Sequence, residues 1–317
     1  MKIFSYLEDA AECLSGCVVA LGNFDGIHKG HQELINTAVR IAKENGLPSA
    51  VFTFSNHPMN ILAGKNVVKN IMSIEEKAEV IDALGVDYMI NVRFNDFVRK
   101  SSPELFVERI LVRDFKAKHV VCGFNYSFGF KAEGTPELLK KLGEKYGFGV
   151  TVIPELSIGN ETVSSTRIRK LISEGKMIDY FDCVGRNYRI EGTVVEGQKL
   201  GRTIGFPTVN LNLQERYALP LNGVYITKTY VDYEVFNSVT NVGNKPTAGL
   251  FEKNAETHLF GFDGDLYGRN LVIEFMDFLR PERKFDSFEL LSEQIKKDCE
   301  AARDYFDKNI PTNTANP

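Results

Sequence analysis

No run of apolar residues in this sequence approaches the roughly 20 needed to cross a bilayer as a helix. Its first residues, MKIFSYLEDAAE, place acids where a secretory leader would carry its apolar stretch. The expectation is a cytoplasmic protein with no membrane partner. Cysteine is also sparse, with five at Cys13, Cys17, Cys122, Cys183 and Cys299. An odd, scattered set does not make a disulfide framework. Cys13 and Cys17 lack a second pair of ligands for zinc, so reduced, half-buried thiols are the plain reading. Basic excess is missing too. The 38 Lys and Arg face 42 Asp and Glu, for a formal net charge of -4. Without a basic and aromatic stripe, nucleic acid is not an expected partner. Net charge does not exclude a local phosphate site.

What the chain does contain is material for two domains. Its 317 residues exceed the usual single domain, and 43% hydrophobic with 25% charged residues is ordinary for a globular fold. In the first half, strand patterns at 17–21, 50–54, 88–92, 119–122 and 150–153 alternate with helical patterns at 31–45, 74–84, 103–112 and 136–146. That alternation predicts an α/β, Rossmann-like domain with a parallel sheet, whose ligands bind beyond the carboxyl ends of the strands. Short helices over 165–174 and 176–183 lead to a change of texture. From there, strand-like runs at 188–195, 209–211, 223–230, 234–242, 257–262 and 271–278, punctuated by Gly, Pro and Asn, predict an all-β antiparallel barrel or sandwich. A closing helix is expected over 288–307, with apolar Leu290, Leu291, Ile295 and Ala301. The expected domains are 1–183 and 184–310, followed by a disordered tail at 311–317.

The first candidate site is Gly22-Asn23-Phe24-Asp25-Gly26-Ile27-His28-Lys29-Gly30-His31, set between the first strand and the helix after it. Its glycines permit a sharp turn and close approach to a ligand, and the helix start offers unpaired N–H groups to phosphate. His28 and His31, three apart, can face one site and donate to phosphate oxygens as charge builds up. A glycine-rich turn with a satisfied histidine is the bland alternative. A second piece, Ser164-Ser165-Thr166-Arg167-Ile168-Arg169, opens a predicted helix. Ser164 or Ser165 suits an N-cap. Two arginines in a first turn oppose the helix dipole unless an anion is held there.

These segments resemble the His-x-Gly-His nucleotidyltransferases, and more closely the adenylyltransferase module of prokaryotic bifunctional FAD synthetases. The resemblance implies ATP contacts at Gly22, Asn23, Phe24, Asp25, Gly26, His28, His31, Ser164, Ser165, Thr166, Arg167 and Arg169. Thr53-Phe54-Ser55-Asn56-His57-Pro58 is similar to the family's Thr-Phe-x-Pro-His-Pro, with Asn56 where Pro is common. Gly123-Phe124-Asn125-Tyr126-Ser127-Phe128-Gly129 is similar to its flavin-side loop, departing at Tyr126 and Ser127. These imply FMN contacts at His57, Pro58 and Asn125. The implied chemistry is in-line attack of an FMN phosphate oxygen on the α-phosphorus of ATP, with diphosphate leaving. His28 and His31 would stabilise the pentacoordinate phosphorus, and Arg167 and Arg169 would hold the outer phosphates.

A third piece runs from Gly197 through Lys199, Gly201, Arg202, Gly205 and Pro207 to Thr208-Val209-Asn210. It is not a P-loop, because the Gly-Lys-Ser/Thr ending and the following helix are missing. Its Gly and Lys could still wrap phosphates. Thr208 and Asn210 alternate across Val209 and share one side of a strand, where two neutral oxygens suit Mg²⁺ bound with ATP. An ordinary edge-strand turn is the alternative. The segment resembles the riboflavin kinase family's Gly-Arg-x-x-Gly-Phe-Pro-Thr-Ala-Asn, with Val209 for Ala. Glu256-Thr257-His258 resembles its Glu-Thr/Ser/Ala-His, which makes Glu256 the implied base for the ribityl hydroxyl and leaves His258 structural. Asp265–Gly268, the 279–285 segment and the turn at 241–247 also match the family. From these, Arg280 and Phe285 are implied flavin contacts, with a core role for Phe285 as the alternative.

The resemblance covers about 10–306 and implies riboflavin, FMN, FAD and ATP as substrates and products. A homo-oligomer is compatible with the sequence. Two rival readings are an enzyme with one dead site and a flavin- or nucleotide-sensing protein that reuses the folds. A sensor would need neither His31 nor Glu256.

Overall fold

The computed structural model describes residues 1–197, 205–213, 217–247 and 250–309. Lys199, Gly201, Arg202 and the tail at 311–317 lie outside these. The chain forms two compact units, Met1–Ile168 and Arg169–Pro317.

The first unit is built on β1 Lys2–Phe4, β2 Val18–Leu21, β3 Ser49–Phe54, β4 Tyr88–Val92, β5 His119–Gly123 and β6 Gly149–Ile153, in the order β1-β4-β3-β2-β5-β6. Every pairing is parallel. All four residues of β2 are buried, as expected of a strand covered on both faces. Val19 and Leu21 join one hydrophobic cluster while Val18 and Ala20 join the other. The helices Lys29–Glu44 and Ile74–Ala83 cover the second face. The strand order turns back between β2 and β5, the kind of switch point where a parallel sheet opens a crevice at its carboxyl ends.

Several elements differ from expectation. β1 and the helix Leu7–Cys13 are present although no pattern marked them; β1 is three residues long and is defined by pairing with β4, a non-local contact. The helix expected over 103–112 starts as Pro103–Phe106 and continues as a π-helix, Val107–Asp114. A small hairpin, β7 Ser157–Ile158 and β8 Glu161–Thr162, precedes the helix Ser165–Ser173. Four of the five thiols are fully buried rather than half-buried, and Cys13 is exposed.

In the second unit, the helix Met177–Val184 packs on a closed antiparallel barrel in the order β10-β13-β12-β11-β14-β9, sealed by β9 on β10. Its strands are β9 Tyr188–Val195, β10 Val209–Leu213, β11 Gly223–Val231, β12 Glu234–Thr247, β13 Leu250–Leu259 and β14 Asn270–Arg280. β9 alternates buried and exposed residues, as one strand of a barrel should. The interior mixes Leu211, Tyr225, Ile273 and Phe275 with fully buried Thr227, Thr229, Ser238, Thr240 and Thr257. Their hydroxyls form a chain with separations of 2.8 to 2.9 Å, which satisfies polar groups that would otherwise weaken the core.

The strand expected over 257–262 is displaced toward the N-terminus, to Leu250–Leu259, because it pairs residue for residue with the long β12. The closing helix runs Phe288–Lys308 and is capped by Ser287 Oγ, which accepts from Leu290 N at 3.3 Å. Cys299 and Ala302 pack with Val224, Ile226 and Val239 of the barrel wall. Leu290, expected on the apolar face, is 49% exposed; the seam follows Leu291, Ile295, Cys299 and Ala302 at helical spacing.

Two candidate active sites

The first site grows from the carboxyl end of β2. Gly26 has φ +82°, and a Cβ there would lie 2.9 Å from Ile71 Cδ1. Phe24 and Ile27 also hold positive φ, at 47° and 32°. Such conformations cost about 1–3 kcal/mol each for residues other than glycine. Both side chains are fully buried in the core, which holds the turn in place. The turn delivers His28 to the N-cap of Lys29–Glu44, where its Nδ1 accepts from His31 N at 3.3 Å. The two imidazoles stack with centroids 3.8 Å apart. An accepting Nδ1 leaves the His28 proton on Nε2. His31 Nδ1 is buried without a protein partner among the described residues. Burial first, then electrostatic coupling to the His28 imidazole and the Lys77 ammonium, hold His31 well below its usual value of 6.5.

The turn is braced from outside its own segment. Thr53 Oγ1 and Lys77 Nζ each donate to Asn23 O at 2.9 Å, and Asp25 Oδ1 accepts from Ile71 N at 3.0 Å. Ser165 Oγ donates to Asp25 O at 2.8 Å, joining two segments 140 residues apart in the chain. Ser164 Oγ takes the capping position, accepting from Arg167 N at 3.2 Å, and Thr166 is exposed. The Arg167 guanidinium donates to the hairpin carbonyls of Ile158 and Glu161 at 3.1 and 2.7 Å and lies 3.3 Å from the Glu161 carboxylate. Arg169 lies two residues further along the same helix, in the second compact unit.

Neighbouring strands complete the crevice. After β3, Asn56 pairs with the backbone of Phe94 through both its amide groups, at 2.7 and 3.3 Å. The amide thus fixes the loop where the family commonly has proline. His57 caps the helix Pro58–Ala63, with Pro58 in its first turn. A small cavity of about 20 Å³ brings together Asn23, Asp25, Asn56, His57 and Lys77. After β5, Asn125 is exposed, and Tyr126 stacks on Phe128 at 5.7 Å. Burial pushes the Tyr126 phenol far up. This departure from the family pattern therefore packs toward the core, against the first hydrophobic cluster.

The second site is a cavity of about 350 Å³ between the outer face of the barrel and the closing helix, within the size range of small-molecule pockets. Thr208, Asn241, Glu256, His258, Glu282 and Phe285 are among its lining residues. Asn210 is paired in register with Glu256, so β10 and β13 place both on the outer face. His258 Nδ1 lies 2.8 Å from Pro207 O and its ring meets Phe206 edge-on, anchoring the stretch before Thr208. Arg280, an expected flavin contact, grips the buried Asp298 of the closing helix with Nε and Nη2 at 2.9 and 2.7 Å. Its planar fork suits a carboxylate held in this way. Arg283 lies over the Phe285 ring, 4.8 Å from its centroid.

The metal expectation can be tested on the donors. Asn210 Oδ1 is buried with no hydrogen-bond partner among the described residues, and Gly197 closes over it, since a Cβ there would lie 2.2 Å from Asn210 Nδ2. An orphaned neutral oxygen near Thr208 fits a hard divalent cation that takes its other ligands from water and phosphate. Among the described residues no cluster of His, Cys, Asp and Glu forms a protein-only metal cage.

Sequence patterns missed Lys77 and Asp298, and marked Thr53 only as part of the 53–58 segment, without its bond to Asn23. The only available signal was a lysine within an otherwise amphipathic helix, and that is commonplace. Gly205 and Pro207 are exposed at the end of the described approach to Thr208.

Two catalytic modules are also what comparison finds. A family model described as FAD synthetase matches residues 10–167, and one described as riboflavin kinase matches residues 184–306. A Haemophilus influenzae protein named bifunctional riboflavin kinase/FMN adenylyltransferase is 35% identical over 307 residues, covering 96% of this chain and 99% of its own. A Listeria monocytogenes protein of the same name is 39% identical, covering 92% and 93%. A Streptococcus pneumoniae crystal structure, described as a macrolide-efflux protein, shares the fold with a TM-score of 0.87 at 31% identity, covering 96% and 99%. Among the described residues of the present chain, no helix is long and apolar enough to cross a membrane. The chain belongs to the bifunctional riboflavin kinase/FMN adenylyltransferase family.

Proposed function

We infer that the chain makes FMN and ADP from riboflavin and ATP in its barrel unit, and FAD and diphosphate from FMN and ATP in its parallel-sheet unit. The observation that carries this is convergence: the histidines and Ser165 of one motif set meet in the first unit, and Thr208, Asn210 and Glu256 of the other lie together in the second. His28 and His31 stack at the end of β2, with Ser165 tied to their turn. Thr208 and Glu256 share one cavity wall, with Asn210 in register beside Glu256.

In the first unit, His28 donates through Nε2–H and neutral His31 through one ring N–H to the phosphorus oxygens that gain charge during in-line displacement. His31, held neutral in the ligand-free site by burial and its neighbours, keeps a ring N–H donor whose bond strengthens as negative charge develops. Ser165 and the amides at the start of its helix, with Arg167 and Arg169, hold the outer phosphates. His57, Pro58 and Asn125 meet FMN from the two neighbouring strand ends.

In the barrel unit, Glu256 takes the proton from the ribityl 5′-hydroxyl as its oxygen attacks the outermost phosphorus of ATP. Gly197, Lys199, Gly201, Arg202, Gly205 and Pro207 belong to the phosphate approach. Thr208 and Asn210 would hold Mg²⁺, which neutralises phosphate charge when bound. Phe285 covers the ring system from the cavity wall. Arg280 shapes the cavity by fixing the closing helix through Asp298. The adenylyltransferase occupies 1–183 and the kinase 184–310, in a cytoplasmic enzyme without a nucleic-acid or membrane partner.

Incubation of the purified chain with riboflavin and MgATP, followed by chromatography, tests the reading. FMN followed by FAD is expected. FMN alone, or FAD only from supplied FMN, would leave one working site, and tight flavin retention without product would make the chain a sensor.

A further inference from the structure

A buried ammonium sits beneath the glycine-rich turn. Lys77 is 7% exposed on the helix Ile74–Ala83, and its Nζ donates to Asn23 O, the carbonyl that also accepts from Thr53. Burial lowers the basicity of Lys77, and the Asp25 carboxylate opposes that effect. Asp25 itself accepts from Ile71 N. A methionine or leucine would fill this space at less electrostatic cost, so the charge needs a reason beyond packing. The same position lines the small cavity shared by the turn and His57. The titratable groups acting on His31 are His28 from its own turn and Lys77 from the neighbouring helix.

We propose that Lys77 is a positioning residue for adenylyl transfer: its ammonium holds the Asn23 carbonyl and places a fixed positive charge under the turn where the triphosphate meets the His28–His31 pair. This rests on the reading of the turn as the adenylyl-transfer site. Thr53 clamps the same carbonyl from β3, so two elements fix the backbone just before Phe24 and Asp25. A charge fixed in a low-dielectric site needs no rearrangement when the transition state forms.

The test is Lys77→Met in the full chain, with three readouts: kcat and KM for ATP in FAD formation, riboflavin phosphorylation by the same sample, and the His31 titration midpoint. The midpoint is read by NMR on ¹⁵N-histidine protein and assigned with His31→Gln. FAD formation should fall roughly 100-fold, chiefly in kcat, with FMN formation within about twofold of the parent. The His31 midpoint should rise, because one of the positive charges opposing its protonation is gone. Lys77→Arg should keep the midpoint low and retain most of the FAD-forming activity, and it serves as the second variant if Lys77→Met misfolds. An unchanged kcat, an unmoved midpoint, or an arginine variant as impaired as the methionine variant would each overturn the proposal. If His31→Ala still makes FAD, the reading of the site itself fails. If His31→Ala is inactive but Lys77→Met is normal, only the role of Lys77 fails.

Discussion

On the proposed reading the turn over 22–31 and the cavity beside β13 each receive a triphosphate, and they are built in opposite ways. In the turn, strained backbone at Phe24 and Ile27 is locked by burial, and the proposed working groups are two imidazoles stacked on one another. In the cavity, the carboxylate of Glu256, the proposed base, is exposed on a regular strand. Precision there comes from around it, through the register of β10 on β13 and the Arg280–Asp298 clamp on the closing helix. The first site concentrates its precision in one short segment. The second distributes it over four segments far apart in the chain. A local substitution should therefore damage the first site selectively, whereas the second should be sensitive to changes in the helix that closes it.

The largest selective effect is expected from Glu256→Gln, which keeps the shape and removes the proposed base. FMN formation should fall about 1000-fold while FAD formation from supplied FMN continues, as chromatography of each half-reaction would show. Gly26→Ala comes next. It combines a positive φ with a close approach to Ile71, so FAD formation should drop about 100-fold with the kinase reaction spared. Asp298→Asn strands the partly buried Arg280 guanidinium and should destabilise the barrel unit by about 3 kcal/mol. Denaturant unfolding of the full chain would show the loss, and KM for riboflavin should rise.

The smallest effect is a pH dependence. His31 titrates well below 6.5 in the folded chain, so the unfolded chain binds the additional proton first. Stability contributed by neutral His31 is full above about 6.5 and is lost as pH falls toward its folded value. His31→Gln should flatten that part of the stability profile.

Much of this was legible where chemistry is local. The glycine-rich turn, its flanking strand and helix, and the Thr208–Asn210 alternation can be read from spacing alone, because turn geometry and strand period depend on adjacent residues. The Ser165–Asp25 bond could not be read in this way, nor could the Lys77 and Thr53 clamp on Asn23, since each joins segments brought together only by the sheet order. Arg280 lines the cavity, as expected of a flavin-side residue, but its bond to the closing helix was not readable. As a residue type it suits a flavin or phosphate, but its partner Asp298 lies 18 positions away on the closing helix and takes up the fork. The interior hydroxyl chain was hidden because threonine in a strand signals β propensity, not burial.

The measurement that bears most directly on the separation of the two chemistries is the product profile of His31→Ala supplied with riboflavin and MgATP. The account predicts that FMN accumulates at the parental rate and FAD is absent. FAD produced at the parental rate, or loss of both products from a folded variant, would contradict it.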